Sequence, residues 1–245
     1  MIYFISDLHL ASDTLGVSRI FMDFIARLNA PDDRLIILGD FFEAWPGDDC
    51  LDDPCHLFER ETVKALQELT KAGVLTALIH GNRDFLLGET FSLRSGVKLL
   101  PDPFLLEAQS GRFILSHGDA LCLEDKQYQA FRAMVRQEAW QSAFLHKPLQ
   151  ERQAFAHALR EQSEHSRQQK TKAYAEADLN PDAVNEIIRK NGYTTFIHGH
   201  MHHPKVCTHL VDGHSVERWV LSSWQDGQGN CLVWDGQRLY REELY

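Results

Sequence analysis

Cysteine is sparse, scattered and odd in number, at Cys50, Cys55, Cys122, Cys207 and Cys231, with no C-x-x-C pair. That speaks against a disulfide framework and a thiolate metal cluster, and suits a reducing compartment. Long apolar runs are missing too. Charges, Gly or Pro interrupt every stretch before the roughly 18 residues that a membrane-spanning helix needs, so a soluble or at most surface-bound protein is expected. The opening MIYFISDLHL brings no basic segment and no small-residue cleavage site, so secretion is not expected. Positive charge is in deficit, with 25 Lys and Arg against 35 Asp and Glu and a net charge of −10. A general nucleic-acid binder, which neutralises phosphates with a basic surface, is therefore not expected. Internal repeats and low-complexity segments are absent as well.

What is present is an ordinary globular composition, 44% hydrophobic and 24% charged over 245 residues, enough for one sizeable core. The charge is uneven. Between Lys126 and Lys172 nine Lys and Arg face four Glu and no Asp, which leaves a cationic stretch inside an acidic chain and suggests an anionic partner.

Short β-rich runs recur, each ending in polar residues: IYFIS before Asp7, RLIILG before Asp40, VLTALIH before Gly81, RFILS before His117 and TTFIH before Gly199. Helical periodicity lies between them, over Val17–Leu28 and Glu59–Lys71, and this alternation indicates an α/β fold. From about Val206 the turn pairs Asp212-Gly213, Asp226-Gly227 and Asp235-Gly236 predict antiparallel hairpins and a second sheet packed on the first. From about Cys122 to Ala177 strand signals stop, and spaced apolar residues such as Tyr128, Phe131, Trp140 and Phe144 predict helices interrupted at Pro148.

Five strand ends carry candidate ligands: Asp7 with His9, Asp40, Asn82, His117, and His198 with His200. Hard oxygens mixed with neutral imidazoles suit divalent Mn, Fe or Zn. On extended chain, residues two apart point the same way, so D-x-H and H-x-H are each expected to converge on one centre. Asp84 and Asp119 read either as groups that hold the ligands by hydrogen bonds or as turn and N-cap residues. His80, His202 and His203 flank the motifs and are expected at the surface.

In this order, D-x-H, G-D, G-N-x-[DE], H-G-D and G-H-x-H resemble the calcineurin-like metallophosphoesterases. More narrowly, SDLHL, ILGDFFEAWPGDD, IHGNRDFLLG, LSHGDALC, YQAFR and IHGHMHHP resemble the UDP-2,3-diacylglucosamine diphosphatase family of bacterial lipid A synthesis, over nearly the whole chain. The resemblance implies an α/β sandwich of two mixed β-sheets flanked by helices, one domain over residues 1–245 with a helical insertion, or lid, at about 122–177. It implies two divalent ions, Mn²⁺ being favoured. Asp7, His9 and His200 would hold the first, Asn82, His117 and His198 the second, and Asp40 would bridge them. Asp40, Asn82, Arg83 and His117 become the catalytic set. Asn82, Arg83 and His198 become substrate contacts, together with Asp125, Ser163, Arg167 and Lys170, with Lys172 as the alternative in register.

The reaction so implied is attack of metal-activated water on the α-phosphorus of UDP-2,3-diacylglucosamine, giving UMP and 2,3-diacylglucosamine 1-phosphate. Many relatives place His after the Asn, where it can protonate an alkoxide. Arg83 stands there instead, which fits a phosphate leaving group that needs little protonation. Its fork can stabilise charge on the phosphoryl oxygens, or it can form a structural salt bridge with Asp84 or another acid. The helical insertion can line an acyl cavity and meet the membrane surface with its cations, or its apolar stripe can be simple core packing. Arg167 stands where the family suggests Asn, and Met201 and His203 where Thr and Arg are usual. The expected setting is cytoplasmic, at the inner-membrane surface, with no nucleic acid and no obligate protein partner. A nucleotide or dinucleoside polyphosphate hydrolase of the same fold is the alternative enzyme, and a non-catalytic scaffold the alternative outside enzymes.

Overall fold

The first strands are apolar at successive residues, not alternate ones, because both faces of their sheet are covered. In the computed structural model, which describes residues 1–161 and 178–245 and the backbone of 162–169, β1 (Ile2–Ile5), β2 (Arg34–Leu38) and β3 (Leu75–Ile79) run parallel. Phe4, Ile36, Leu38, Ala77 and Ile79 face a second sheet, while Ile5, Leu35, Ile37 and Leu78 face helices. Truncating one such side chain, for example Leu38→Ala at 0% exposure, removes about 2–5 kcal/mol of stability.

The helices on that outer face are α1 (Leu15–Ile25), α2 (Leu57–Lys71) and α3 (Glu89–Ser95). Helix α1 ends before Leu28, but its predicted inward positions Val17, Ile20, Phe21, Phe24 and Ile25 are all buried. The first sheet has the order β11-β10-β1-β2-β3-β4, with β4 Lys98–Leu100, β10 Gly229–Trp234 and β11 Leu239–Leu244. The second has the order β5-β6-β7-β9-β8, formed by Phe104–Ala108, Gly111–Ser116, Thr195–His198, His214–Val220 and Lys205–Val211. Both sheets are mixed. On the second sheet's outer side Ile114, Phe196 and Val216 pack with Val184 and Ile188.

The expected antiparallel hairpins and the second sheet are both present, but the hairpins are divided between the two sheets. Asp212-Gly213 joins β8 to β9 and Asp235-Gly236 joins β10 to β11, but the turn at Asp226-Gly227 lies where the chain leaves the second sheet for the first. There β10 pairs antiparallel with β1, Phe4 opposite Leu232, because Leu232 belongs to the core between the sheets.

After β6 come α4 (Lys126–Val135), α5 (Glu138–Leu145) and α6 (Leu149–Gln169). Trp140 stacks on Phe144 at 4.7 Å and Phe144 meets Phe155 at 5.1 Å, so part of the predicted apolar stripe is packing. Buried Arg152 fixes α6 by donating to the Pro46 carbonyl and to both carboxylate oxygens of Asp49. Further on, α7 (Pro181–Lys190) starts where Asn180 accepts the Ala183 N–H at 3.1 Å and Pro181 presets the first turn.

Candidate metal centre

The motif residues sit past the C-terminal ends of β1, β2, β3, β6 and β7, so parallel strands deliver them to one edge of the sandwich. Apart from His198, the last residue of β7, the residues of D-x-H and H-x-H do not lie on extended chain, as that reading assumed. Asp7, His9, Asp40 and His200 have φ of 56°, 50°, 49° and 66°, and His202 has 57°. Each is in the left-handed region, which L side chains enter at a cost of about 1–2 kcal/mol. Neighbouring turns are locked together by main-chain bonds: Asp7 N–H to Gly39 O at 3.1 Å and His9 N–H to Asp40 O at 3.0 Å. Glycine is required where they touch. A Cβ on Gly39, itself at φ +85°, would lie 2.6 Å from Nδ1 of His117, and one on Gly199 would lie 2.5 Å from Oδ2 of Asp7.

Within this edge Oδ2 of Asp40 lies 3.8 Å from Nε2 of His9, and Oδ1 lies 3.7 Å from Nε2 of His117. That same His117 nitrogen is 3.1 Å from Oδ1 of Asn82. The rings of His117 and His200 are 5.0 Å apart, and the main-chain N–H of His200 donates to Asp7 at 2.9 Å. Oδ1 of Asp7 is buried without a hydrogen-bond partner, with Nε2 of His202 3.2 Å away. His202 therefore points inward, contrary to the expectation of a surface position, while His203 is exposed. His80 is half-buried, with its Nε2 2.7 Å from the Leu87 carbonyl.

Six of the seven candidate ligands are thus joined by these contacts. His198 is fully buried but engaged elsewhere: Arg218 donates to its Nε2 at 3.2 Å, which leaves Nδ1–H to donate to the Gly199 carbonyl at 2.8 Å. Burial and the Arg218 charge push the His198 imidazolium down to about 3. Arg218 is itself pinned by Asp178, the first residue described after α6, which also accepts from Lys205 at 2.7 Å.

The electrostatics follow from crowded carboxylates. Burial alone would lower His117, but the charges of Asp40, then Asp7 and Asp119, push it up to about 9. Burial raises Asp7, yet the contact with His202 and the charges of His117 and His9 hold it well below the usual range. Asp84, fully buried and near Asp40, is raised. It accepts from the N–H groups of Phe41 and Gly81, both at 2.8 Å, so it holds the loops that carry Asp40 and Asn82. Asp119, the other acid read as an outer group, accepts from Tyr128 OH and from Arg132 Nε.

Arg83 places its guanidinium 3.6 Å from Glu43, so the acid beside it is Glu43 and not Asp84. Asp125 caps α4 by accepting the Tyr128 N–H at 3.1 Å. The side chains of Ser163 and Arg167, and all of Lys170 and Lys172, lie outside the described residues. Sequence reasoning missed Glu43, Tyr128, Arg132, Arg136 and Arg218. Tyr128 and Arg132 were inside the quoted YQAFR, Glu43 inside ILGDFFEAWPGDD, and Arg136 donates to the Gly81 carbonyl at 2.7 Å. A cleft of about 510 Å³ lined by Arg112, Trp219 and Trp234 opens at the opposite end, among none of the motif residues.

The description of the matching family covers residues 1–204: calcineurin-like phosphoesterase. A UDP-2,3-diacylglucosamine hydrolase of Chromobacterium violaceum is 46% identical over 96% of this chain and 94% of its own. The chain belongs to the calcineurin-like phosphoesterases. Proteins of the same description in Aromatoleum aromaticum and Chromohalobacter salexigens are 44% and 42% identical, over 95% and 92% of this chain and 92% and 89% of theirs.

Phosphoesterases of this family use divalent ions, and the residues here fit them. Donor atoms of Asp7, Asp40 and His117 lie within 4.8 Å of one another, as do those of Asp7, His9 and His202. The orphaned Oδ1 of Asp7 and the field that raises His117 are what a cation would answer.

Proposed function

We propose that this phosphoesterase hydrolyses the pyrophosphate bond of UDP-2,3-diacylglucosamine. Water oxygen bonds to the α-phosphorus, the bond from that phosphorus to the bridging oxygen breaks, and UMP and 2,3-diacylglucosamine 1-phosphate are released. The observation that carries this is the convergence of Asp7, His9, Asp40, Asn82 and His117 at one strand edge, with Arg83 beside them, in a chain whose relatives bear that name over nine-tenths of its length.

Two divalent ions, Mn²⁺ by ligand type, would be held by Asp7, His9 and His200 and by Asn82, His117 and His198, with Asp40 shared; His198 would have to give up its Arg218 contact to do so. When bound they supply a water of lowered pKa and a clamp on phosphoryl oxygens. The protein's own groups do the rest. Asp84 holds the Asp40 and Asn82 loops in place. Arg83, planar and permanently charged, neutralises the phosphate as charge develops. The leaving group is a phosphate, so no side chain need protonate an alkoxide.

We read the chain as a single domain with an insertion at about 122–177, of whose described part Arg136 on α4 reaches the Gly81 carbonyl. Asn82, Arg83, His198, Asp125, Ser163, Arg167 and Lys170 or Lys172 are the proposed contacts to the diphosphate and glucosamine. No helix among the described residues is long and apolar enough to cross a membrane. Exposed Leu123, Met134 and Leu145, near the exposed cations Lys126 and Lys147, support peripheral docking on the cytoplasmic face of the inner membrane.

The test is UMP release from UDP-2,3-diacylglucosamine by the purified protein with Mn²⁺ and then with chelator, beside UDP-N-acetylglucosamine. Metal-dependent release from the acylated substrate alone is expected. Equal cleavage of both would favour a nucleotide hydrolase, and cleavage of neither a scaffold.

A further inference from the structure

Glu43 lies in the FFEAW stretch after β2, and none of the roles above uses it. Its main chain is fastened to the loop that carries His9: Leu10 N–H donates to Phe41 O at 2.9 Å and Glu43 N–H to Leu10 O at 3.1 Å. Phe41, Phe42 and Trp45 around it are buried, so the backbone has little freedom. The carboxylate, 13% exposed, faces one imidazole and two guanidinium groups from three parts of the chain. Nδ1 of His9 is 2.8 Å from Oε2, and the guanidinium groups of Arg83 and Arg160 are 3.6 Å and 3.4 Å from Oε1.

The His9 contact decides which nitrogen looks inward. The 2.8 Å contact is not angled as a regular hydrogen bond, but beside a carboxylate that can only accept the proton favours Nδ1, which leaves Nε2, 3.8 Å from Asp40 and 3.4 Å from Nε2 of His202, to face the centre. A carboxylate behind a ligating imidazole in this way fixes tautomer and ring orientation. The Arg160 contact is of another kind. Arg160 stands on α6, so the same carboxylate that backs His9 also helps to tie down an insertion helix that is held as well by Arg152 on Asp49 and by Gln153 on His56. Arg160 also comes within 4.0 Å of Asp13 in the loop after β1.

We propose that Glu43 is a positioning residue: it orients His9 toward the first ion and, through Arg160, couples the seating of α6 to that half of the centre. This rests on the metal-dependent reading above. It gives the acid of the FFEAW segment a job in which charge, not only packing, matters.

The experiment uses the full chain and two variants, Glu43→Gln, which keeps shape and loses charge, and Glu43→Ala. Mn²⁺ titrated into chelator-treated protein, followed by calorimetry and electron paramagnetic resonance, is expected to show one of the two ions bound about 10–100-fold more weakly in both variants. With UDP-2,3-diacylglucosamine, kcat is expected to fall more than KM rises. Amide exchange over residues 149–161 is expected to speed up in Glu43→Gln and in Arg160→Gln, and no further in the double variant. Mn²⁺ affinity and kcat within twofold of the parent, even with a lower Tm, would reduce Glu43 to a structural role and overturn the proposal. Additive exchange in the double variant would overturn the coupling to α6. If the parent releases no UMP, the substrate reading fails while the Mn²⁺ titration still decides the role of Glu43.

Discussion

The main-chain N–H of Arg83 donates to Oδ1 of Asp40 at 2.8 Å. The residue assigned to the phosphate and the residue assigned between the ions thus share a hydrogen bond that no substitution at 83 other than proline removes. Function and support separate cleanly at this position.

Replacing Arg83 by Ala is therefore expected to lower kcat by about 10²–10³-fold, the scale of one lost charge-stabilising donor, with metal content unchanged. Lys at 83 restores part of the rate only, since it lacks the planar fork. Steady-state rates beside metal analysis by mass spectrometry check this. Parallel loss of metal in Arg83→Ala would point to the guanidinium supporting the Asp40 loop.

Asp40→Ala takes a carboxylate from between His9 and His117. Turnover is expected to fall at least about 100-fold, more than for groups that only orient ligands, with both ions weakened and the far-ultraviolet dichroism retained. A near-normal rate in this variant would refute the two-ion assignment.

In chelator-treated protein the folded-state pKa of His117 is raised to about 9 against roughly 6.5 unfolded. The stability it contributes is full below about pH 6.5 and is lost as pH rises through 9. His198 and His200, lowered to about 3 and about 4 chiefly by burial, act oppositely. The unfolded chain takes up protons that they refuse, so stability drops as pH falls below about 6.5. Thermal unfolding from pH 4 to 10 is expected to peak near pH 6.5, and His117→Gln to flatten the alkaline limb. An unchanged alkaline slope in that variant would contradict the field described around Asp7 and Asp40.

Arg218 is 2% exposed and holds His198, His209 and Asp178. Its replacement by Ala breaks a pair buried at Arg218 but one-third exposed at Asp178, so a loss below the roughly 3–5 kcal/mol of a fully buried pair is expected, read from urea unfolding. Asp178, with its carboxyl held well below the usual range chiefly by the Arg218 and Lys205 bonds against the effect of burial, keeps that stability above about pH 4 and loses it in stronger acid. The variant's unfolding midpoint should accordingly vary less with pH below 4 than the parent's.

The strands that end in Asp7, Asp40, His117 and His198 were legible because each is a run of β-branched or aromatic residues broken by a polar loop. β4 and β5 were not, since Lys98–Leu100 has three residues and Phe104–Ala108 is only half-buried, leaving little contrast in hydrophobicity. The division of the last four strands between two sheets depends on which core Leu232 and Val216 enter, and a turn signal carries no such information. The gathering of six candidate ligands at one edge was readable from their places after the strands, but the extended chain assumed for Asp7, His9 and His200 was not found. Left-handed backbone at Asp7 and His9 is imposed by the partner loop and has no local signature outside glycine. The parts played by Glu43, Arg132 and Arg218 are through-space relations between segments far apart in sequence, which one sequence does not display.

Five polar residues of this centre hold a backbone shape that glycine would adopt without strain. Selection for thermal tolerance alone, in a laboratory population freed from the need to turn over substrate, would gain stability by exchanging Asp7, His9, Asp40, His200 or His202 for glycine. Hardier descendants would keep the sandwich and shed the chemistry.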